Sequence, residues 1–347
     1  MHNLALYRKY RSENFDQVIG QEQIVSALQA DLENKKVSHA YLFVGSRGTG
    51  KTSVARIFAR ALGVSPNDIY EIDAASNRKV EEMRILRENV LTLPFESKYK
   101  VYILDEVHMF TAESWNTFLK TLEEPPAHVI FILATTELRK VPDTILSRCQ
   151  IFNFKRPTEN ILKKVVTDVA KKEGFEIEAG GAEIIALIGD GAFRDTLGIL
   201  QKVLNNSTNK KISKEEVEKI TGVPKGILIN ETLELLVEGN TENIFGMIER
   251  IKNENLDMEI FLKLFIYKLR FAVVLKYAPK IEASFFEDLT EGELSFLKEL
   301  IKKDKKGIIR SASLAKFLEA YQNTSNSFIK ELPLEIALVE ILGENVL

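Results

Sequence analysis

Gly45-Ser46-Arg47-Gly48-Thr49-Gly50-Lys51-Thr52 is the stretch of this chain whose residue types and spacing point most directly to chemistry. It has the form G-x-x-x-x-G-K-T, follows the apolar run Ala40–Val44 and precedes a helix-like run from Ser53 to Leu62. Strand, loop and helix in that order make a phosphate-binding loop. Its three glycines let backbone N–H groups turn inward around a β-phosphate, and the helix amino end adds partial positive charge. Lys51 then reaches the β- and γ-phosphates, and the Thr52 hydroxyl ligates Mg²⁺. A second constellation, Asp105-Glu106, ends the apolar run Val101–Leu104. An acidic pair at the carboxyl end of a buried parallel strand lies beside such a loop in a doubly wound sheet. Asp105 is placed to hold Mg²⁺ through water, and Glu106 to orient or deprotonate the attacking water. Thr135-Thr136 close the apolar run Val129–Ala134 and bring hydroxyls to the γ-phosphate or that water. This is the chemistry of a nucleoside triphosphate site.

The elements that must position these groups follow from apolar periodicity. Five strands are expected, at Ala40–Val44, Ile69–Ile72, Val101–Leu104, Val129–Ala134 and Ile151–Phe154. Helical spacing runs from Gln21 to Lys35, from Val80 to Leu91, and from Thr111, an expected N-cap, to Glu123. Asp143 is expected to cap a short helix over Thr144–Leu146. The pattern turns wholly helical after Pro157-Thr158, over Thr158–Lys172, Ala182–Ile188, Arg194–Leu204 and Ser213–Ile220, the last opened by a Ser-x-x-Glu capping box. Gly222-Val223-Pro224 punctuates the chain again. Beyond it, sets such as Ile260, Leu264 and Tyr267, or Leu294, Leu297 and Ile301, keep helical spacing. The expected architecture is therefore α/β then all-α: a parallel five-stranded nucleotide domain over 1–156, a helical lid over 157–222 and a helical domain over 223–347.

Composition narrows the function classes. A net charge of −3 excludes a global basic field, so any DNA contact must come from a local patch. The single cysteine, Cys149, excludes an internal disulfide framework. His2, His39, His108 and His128 lack ligand spacing, so no zinc is expected. With no leader and no apolar run of about 18 residues, a soluble cytoplasmic chain without a membrane partner is expected. The amino-terminal arm, Leu6-Tyr7-Arg8-Lys9-Tyr10-Arg11, mixes cations with aromatics. It can stack on a base or strand, or simply pack on the domain surface. Arg194, at the start of a helix, can face the nucleotide, whereas Arg148 in Ser147-Arg148-Cys149 reads by spacing alone as a surface or salt-bridge residue.

Five stretches together resemble the gamma/tau subunit family of bacterial DNA polymerase III, AAA+ ATPases of the sliding-clamp loader. They are Leu6–Arg11, the phosphate loop, Asp105-Glu-Val-His-Met109, Leu119-Lys-Thr-Leu-Glu-Glu-Pro-Pro126 and Ser147-Arg-Cys149. The likeness is dense from Tyr7 to about Asp195 and thin beyond Gly222. It implies ATP and Mg²⁺ as cofactors, with nucleotide contacts from Tyr7, Arg8 and Arg11, the loop through Ser53, and Asp105. It implies Arg148 as an arginine finger reaching a neighbouring subunit, Thr136 as a first nucleotide sensor and Arg194 as a second. Lys79, Lys120, Lys140 and Thr144 match positions facing DNA, where phosphate contacts would be salt-dependent and sequence-blind. Implied partners are delta and delta-prime subunits, further copies of the chain, the sliding clamp and primer–template DNA. The carboxyl-terminal helices are the implied oligomerising collar.

Departures from the family pattern bear on these expectations. Gly63–Asp68 stands where most relatives carry a four-cysteine zinc module, no tau-type extension is expected, and Asn77 stands where relatives often have Arg. Alternative readings are a replication factor C-like subunit, a branch-migration motor, a non-hydrolysing structural subunit, or an ATP-dependent regulator unconnected with replication. Intact Gly50-Lys51-Thr52 and Asp105-Glu106 weigh against the structural subunit. The aromatic–basic arm, and the lack of a winged-helix signature, weigh against the motor. A loader must hold Glu106 back until DNA arrives, and Lys120, on the helix after the acidic pair, is the expected transmitter.

Overall fold

The computed structural model describes residues 4–76, 80–207, 209–223, 226–254, 256–279, 289 and 291–343. Five strands, β1 (Ala40–Val44), β2 (Ile69–Asp73), β3 (Lys100–Asp105), β4 (Val129–Thr135) and β5 (Gln150–Asn153), form a parallel sheet in the order β2-β3-β4-β1-β5. β3 and β4 are buried along almost their whole length, which explains their unbroken apolar sequences. β2 is an edge strand and exposes Tyr70, Glu71 and Asp73. Successive residues alternate between two layers. Tyr41 and Phe43 face a core with Ile24 and Leu28 of α2 (Glu22–Glu33) and Val54 and Phe58 of α3 (Lys51–Ala61). On the other face, Leu42, Leu104 and Phe131 pack with Met83 and Leu86 of α4 (Val80–Val90) and Trp115 and Phe118 of α5 (Ala112–Glu123). α1 (Leu6–Lys9) precedes this block, and α6 (Asp143–Leu146) lies between β4 and β5.

The helical segment that follows belongs to the same compact unit, Met1–Ile212. It comprises α7 (Glu159–Lys172), α8 (Ala179–Ile188) and α9 (Phe193–Asn206). Thr158 caps α7 by accepting the Ile161 N–H. β6 (Glu176–Ile177) and β7 (Lys211–Ile212) add a parallel pair of two residues each, too short to leave an alternating pattern in sequence. A second unit, Ser213–Leu347, contains α10 (Lys214–Thr221), α11 (Gly226–Glu238), α12 (Thr241–Asn253), α13 (Met258–Tyr277), α14 (Glu291–Lys303), α15 (Ser311–Thr324) and α16 (Leu332–Gly343). Its core centres on Phe261, Phe265, Leu269 and Phe317, and Phe265 meets Phe317 edge-on at 4.9 Å. Among the described residues no helix is long and apolar enough to cross a membrane.

Several helix starts differ from expectation. α3 begins at Lys51, not Ser53, because Gly50 takes a left-handed N-cap conformation with φ +100° and the loop turns straight into the helix. α8 begins at Ala179 rather than Ala182, its two glycines lying within the first turn. The N-cap of α6 is Pro142, not Asp143; Asp143 is the first helical residue, where its carboxylate complements the helix dipole. Thr111 and Ser213 do cap α5 and α10, accepting N–H bonds from Ser114 and Glu216.

Asp68, just before β2, is a structural anchor that periodicity does not reveal. Its buried carboxylate accepts N–H bonds from Phe95, Glu96 and Ser97 at 2.6–2.9 Å and so pins the loop between α4 and β3. Burial opposes ionisation, but the backbone donors prevail and hold the pKa down at about 2. A depressed folded-state pKa gives stability that is present above the ordinary carboxylate range and is lost as pH falls toward 2. Asp68→Ala is expected to cost about 1–3 kcal/mol at neutral pH. In urea unfolding, its difference from the parent chain should shrink as the pH drops from about 4 to about 2.

Candidate nucleotide site

Parallel register brings the phosphate loop, Asp105 and Thr135 to one edge of the sheet. The carboxyl ends of β1 and β4 pair as Val44 with Thr135, and those of β3 and β4 as Leu104 with Leu133. Close packing dictates glycine in the loop. A Cβ on Gly45 would lie 2.7 Å from the Phe154 carbonyl oxygen. One on Gly48, at φ +74°, would lie 2.8 Å from the Ala192 Cβ. The Phe193 N–H donates to the Gly48 carbonyl at 3.0 Å, so the loop touches the start of α9 directly.

Lys51 is buried, and its ammonium donates to the carbonyls of Gly45 (2.7 Å) and Ser46 (3.0 Å). Burial lowers its pKa, against which the charges of Glu106 and Asp105 act. Thr49 is buried with its hydroxyl on the Ser46 carbonyl, while Arg47 is exposed. The Thr52 hydroxyl donates to Asp105 Oδ2 at 2.7 Å. A buried ammonium, a glycine-lined turn and this hydroxyl–carboxylate pair are the donor set that a Mg²⁺-bound triphosphate requires.

Glu106 stands in the left-handed region, with φ +52° and ψ +43°. That conformation costs a non-glycine residue about 1–3 kcal/mol and is a feature of functional turns. Its Oε2 accepts the Thr136 hydroxyl at 3.2 Å and lies 3.3 Å from His108 Nδ1. His108 also meets the Thr135 hydroxyl through Nδ1 (3.2 Å) and Glu137 through Nε2 (3.5 Å). Ligand spacing in the sequence does not single out His108. The signal available was its place one short turn after Asp105-Glu106.

The arm reaches this site from two sides. Arg11 Nε donates to the Ser53 hydroxyl at 2.8 Å. Burial lowers the Arg11 pKa, with Arg56 adding to the effect. The Arg194 guanidinium lies over the Tyr7 ring at 5.4 Å, and exposed Arg8 stands near the same ring at 5.7 Å. Leu6 N–H on Gln201, and Lys9 and Tyr10 on Glu173, tie the arm to α9 and the end of α7. Arg156, not singled out from sequence, donates to the Ser46 hydroxyl at 3.2 Å.

Other candidates lie apart from this cluster. Arg148 precedes β5, so it stands at the amino edge of the sheet while the phosphate loop follows the carboxyl edge. Its guanidinium is held by Glu123 (3.0 Å) and the Thr144 carbonyl (2.7 Å). Beside it, burial pushes the Cys149 thiol up to about 12, which makes it an unreactive thiol. Lys120, Lys140 and Thr144 are exposed, and Lys140 pairs with Glu137 at 2.9 Å. None of the hydrogen bonds or ion pairs among the described residues joins Lys120 to Glu106. Lys79 and Asn77 lie outside the described residues.

Strand order, loop, acidic pair and attached helices define a P-loop nucleotide-binding protein of the AAA+ fold. Thermotoga maritima RuvB matches with a TM-score of 0.53 and 22% identity over 66% of this chain and 80% of that one, a likeness of fold alone. The model of the family described as DNA polymerase III, delta subunit, matches residues 20–75 and 64–158. DNA polymerase III subunit tau of Bacillus subtilis is 40% identical over 80% of this chain and 53% of its own length. The gamma/tau subunit of Mycoplasma genitalium is 36% identical over 97% of this chain and 61% of its own. The gamma subunit of Buchnera aphidicola (subspecies Baizongia pistaciae) is 35% identical over 81% and 82%. The chain belongs to the DNA polymerase III gamma/tau subunit family. It spans only about half to three-fifths of the Bacillus and Mycoplasma proteins.

Proposed function

We propose that this chain is an ATP-hydrolysing motor subunit of a bacterial clamp loader, which opens a sliding clamp and loads it onto primed DNA in the cytoplasm. The observation that carries the reading is the joint placement of Lys51, Thr52, Asp105 and Glu106 on one sheet edge, in a member of this family. A purely structural subunit has no use for that set. ATP would lie with its β- and γ-phosphates against the loop from Gly45 to Ser53 and against Lys51, with Mg²⁺ near Thr52 and Asp105. Tyr7, Arg8 and Arg11 are assigned to its base side, Thr136 to the γ-phosphate region and Arg194 to the helical side. When bound, the metal supplies charge neutralisation for phosphoryl transfer, and Glu106 orients the attacking water.

The proposed organisation is a nucleotide domain over 1–156, a lid over 157–222 and a collar over 223–347 that joins copies of the chain with delta- and delta-prime-type subunits. Lys79, Lys120, Lys140 and Thr144 are assigned to DNA phosphates, which reconciles a net charge of −3 with DNA binding. The test is steady-state ATP turnover of the chain assembled with its partner subunits, with and without clamp and primed DNA. Clamp and DNA together are expected to raise turnover, and Lys51→Met to abolish it. Turnover indifferent to both ligands would leave an ATPase but remove the replication role.

A further inference from the structure

Two neighbouring residues of the amino-terminal arm are fastened to different parts of the nucleotide unit. The Tyr10 hydroxyl donates to Glu173, the residue that closes α7, and the Lys9 ammonium donates to the same carboxylate oxygen at 2.7 Å. The next residue, Arg11, donates from Nε to the Ser53 hydroxyl at 2.8 Å, in the first turn of α3 directly after the phosphate loop. Consecutive Cα atoms lie about 3.8 Å apart, so one peptide unit spans from the α7 anchor to the loop anchor. Upstream, the Leu6 N–H donates to Gln201 Oε1 at 3.1 Å, and the Tyr7 ring lies under the Arg194 guanidinium of α9 at 5.4 Å. Downstream, Ser12 and Glu13 bond to Gln17, which leaves little slack on either side.

Glu173 suits this place because one of its oxygens takes two donors. Its side chain is only 21% exposed, and the bonds from Lys9 and then Tyr10 hold its pKa below the ordinary carboxylate value. A hydrogen bond to an ionised acceptor is roughly twice as strong as a neutral one. The Tyr10 ring is flanked by the ammoniums of Lys9 at 5.5 Å and Lys172 at 5.6 Å, so ring and hydroxyl are both gripped. Burial, and then the bond to Glu173, raise the Tyr10 pKa, so the phenol stays a donor through the neutral range. Among the described residues, no hydrogen bond or ion pair joins Glu173 to the phosphate loop, Asp105 or Glu106. Its influence on the site runs through the arm.

We propose that Glu173 is a positioning residue for nucleotide binding. By holding Lys9 and Tyr10 it fixes the register of the arm, which sets Arg11 on Ser53 and Tyr7 under Arg194. The proposal rests on the assignment of Tyr7, Arg8 and Arg11 to the base side of ATP. The base leaves only when the arm detaches, so the Glu173 contacts govern how fast ATP dissociates. The phosphate end is held by the loop and Lys51 whatever the arm does.

The test uses the full chain with Tyr10→Phe, Glu173→Gln, Glu173→Ala and the Tyr10→Phe/Glu173→Ala double variant. Dissociation of a ribose-labelled fluorescent ATP analogue is followed by chase, and inorganic tripolyphosphate with Mg²⁺ competes for the phosphate end alone. Tyr10→Phe and Glu173→Ala should each speed dissociation roughly threefold to tenfold, the scale of one lost hydrogen bond. The double variant should do no more than Glu173→Ala. Glu173→Gln, whose amide oxygen can still accept from Tyr10, should fall between the parent and Glu173→Ala. The inhibition constant of tripolyphosphate should not move, and in the assembled complex the KM for ATP should rise at unchanged kcat. A merely structural contact would weaken ATP and tripolyphosphate together, and that result would overturn the proposal. Unchanged ATP dissociation in Glu173→Ala, or multiplying effects in the double variant, would overturn it too. A parent chain that binds neither ligand would remove the nucleotide site itself, and the proposal with it.

Discussion

Glu106→Gln is expected to lower ATP turnover of the assembled complex by ~10²–10⁴-fold, the usual contribution of a general base, while ATP binding persists. The substitution is nearly isosteric, and the amide oxygen can still accept from Thr136, which now bonds Oε2 at 3.2 Å. The groups assigned to phosphate and metal are untouched: Lys51 on the loop carbonyls, and Thr52 with Asp105. Only the capacity to attract a water proton is removed. Binding of a fluorescent ATP analogue and single-turnover hydrolysis separate the two effects. Parallel loss of binding would make Glu106 a structural residue of the loop. Undiminished hydrolysis would move the base elsewhere.

What could be read in advance divides along physical lines. The phosphate loop, Asp105-Glu106 and Thr135-Thr136 are contiguous in sequence, and each follows an apolar run long enough to mark a buried strand, so their convergence follows from parallel pairing alone. His108 and Arg156 were not legible in the same way. Each acts through a partner brought near by tertiary structure: Thr135 and Glu137 at the exit of β4, and Ser46 across the sheet edge. The contact of Arg194 with Tyr7 joins chain ends of the nucleotide unit, and no local pattern encodes it. Asp68 looks like a turn aspartate in sequence, because its three acceptor contacts lie nearly thirty residues away. The helices of the second unit are legible as amphipathic spacing, whereas their order of packing is not.

Arg148→Ala is expected to cost the assembled complex ~10³–10⁵ in turnover, the scale of an arginine finger. The argument begins with sheet geometry. β5 runs parallel to β1, with Asn153 opposite Val44, so Arg148 sits before the amino end of a strand whose far end adjoins the phosphate loop. Four strand residues span roughly 13 Å, and the guanidinium is turned toward Glu123 and the Thr144 carbonyl. It is therefore directed away from the phosphate loop of its own chain, and on the proposed reading the phosphate it meets is a neighbour's. Its surface pair with Glu123 contributes no more than about 1 kcal/mol, so the alanine variant should fold. Arg148→Lys should rescue little, since an ammonium lacks the planar fork that grips a phosphate with two bonds. Mixed assemblies supply the decisive reading. Complexes built from Arg148→Ala and Glu106→Gln chains should recover part of the turnover, at interfaces where an intact arginine meets an intact glutamate. Failure of that complementation, with both variants binding ATP normally, would place Arg148 outside the reaction and leave Glu123 as its true partner.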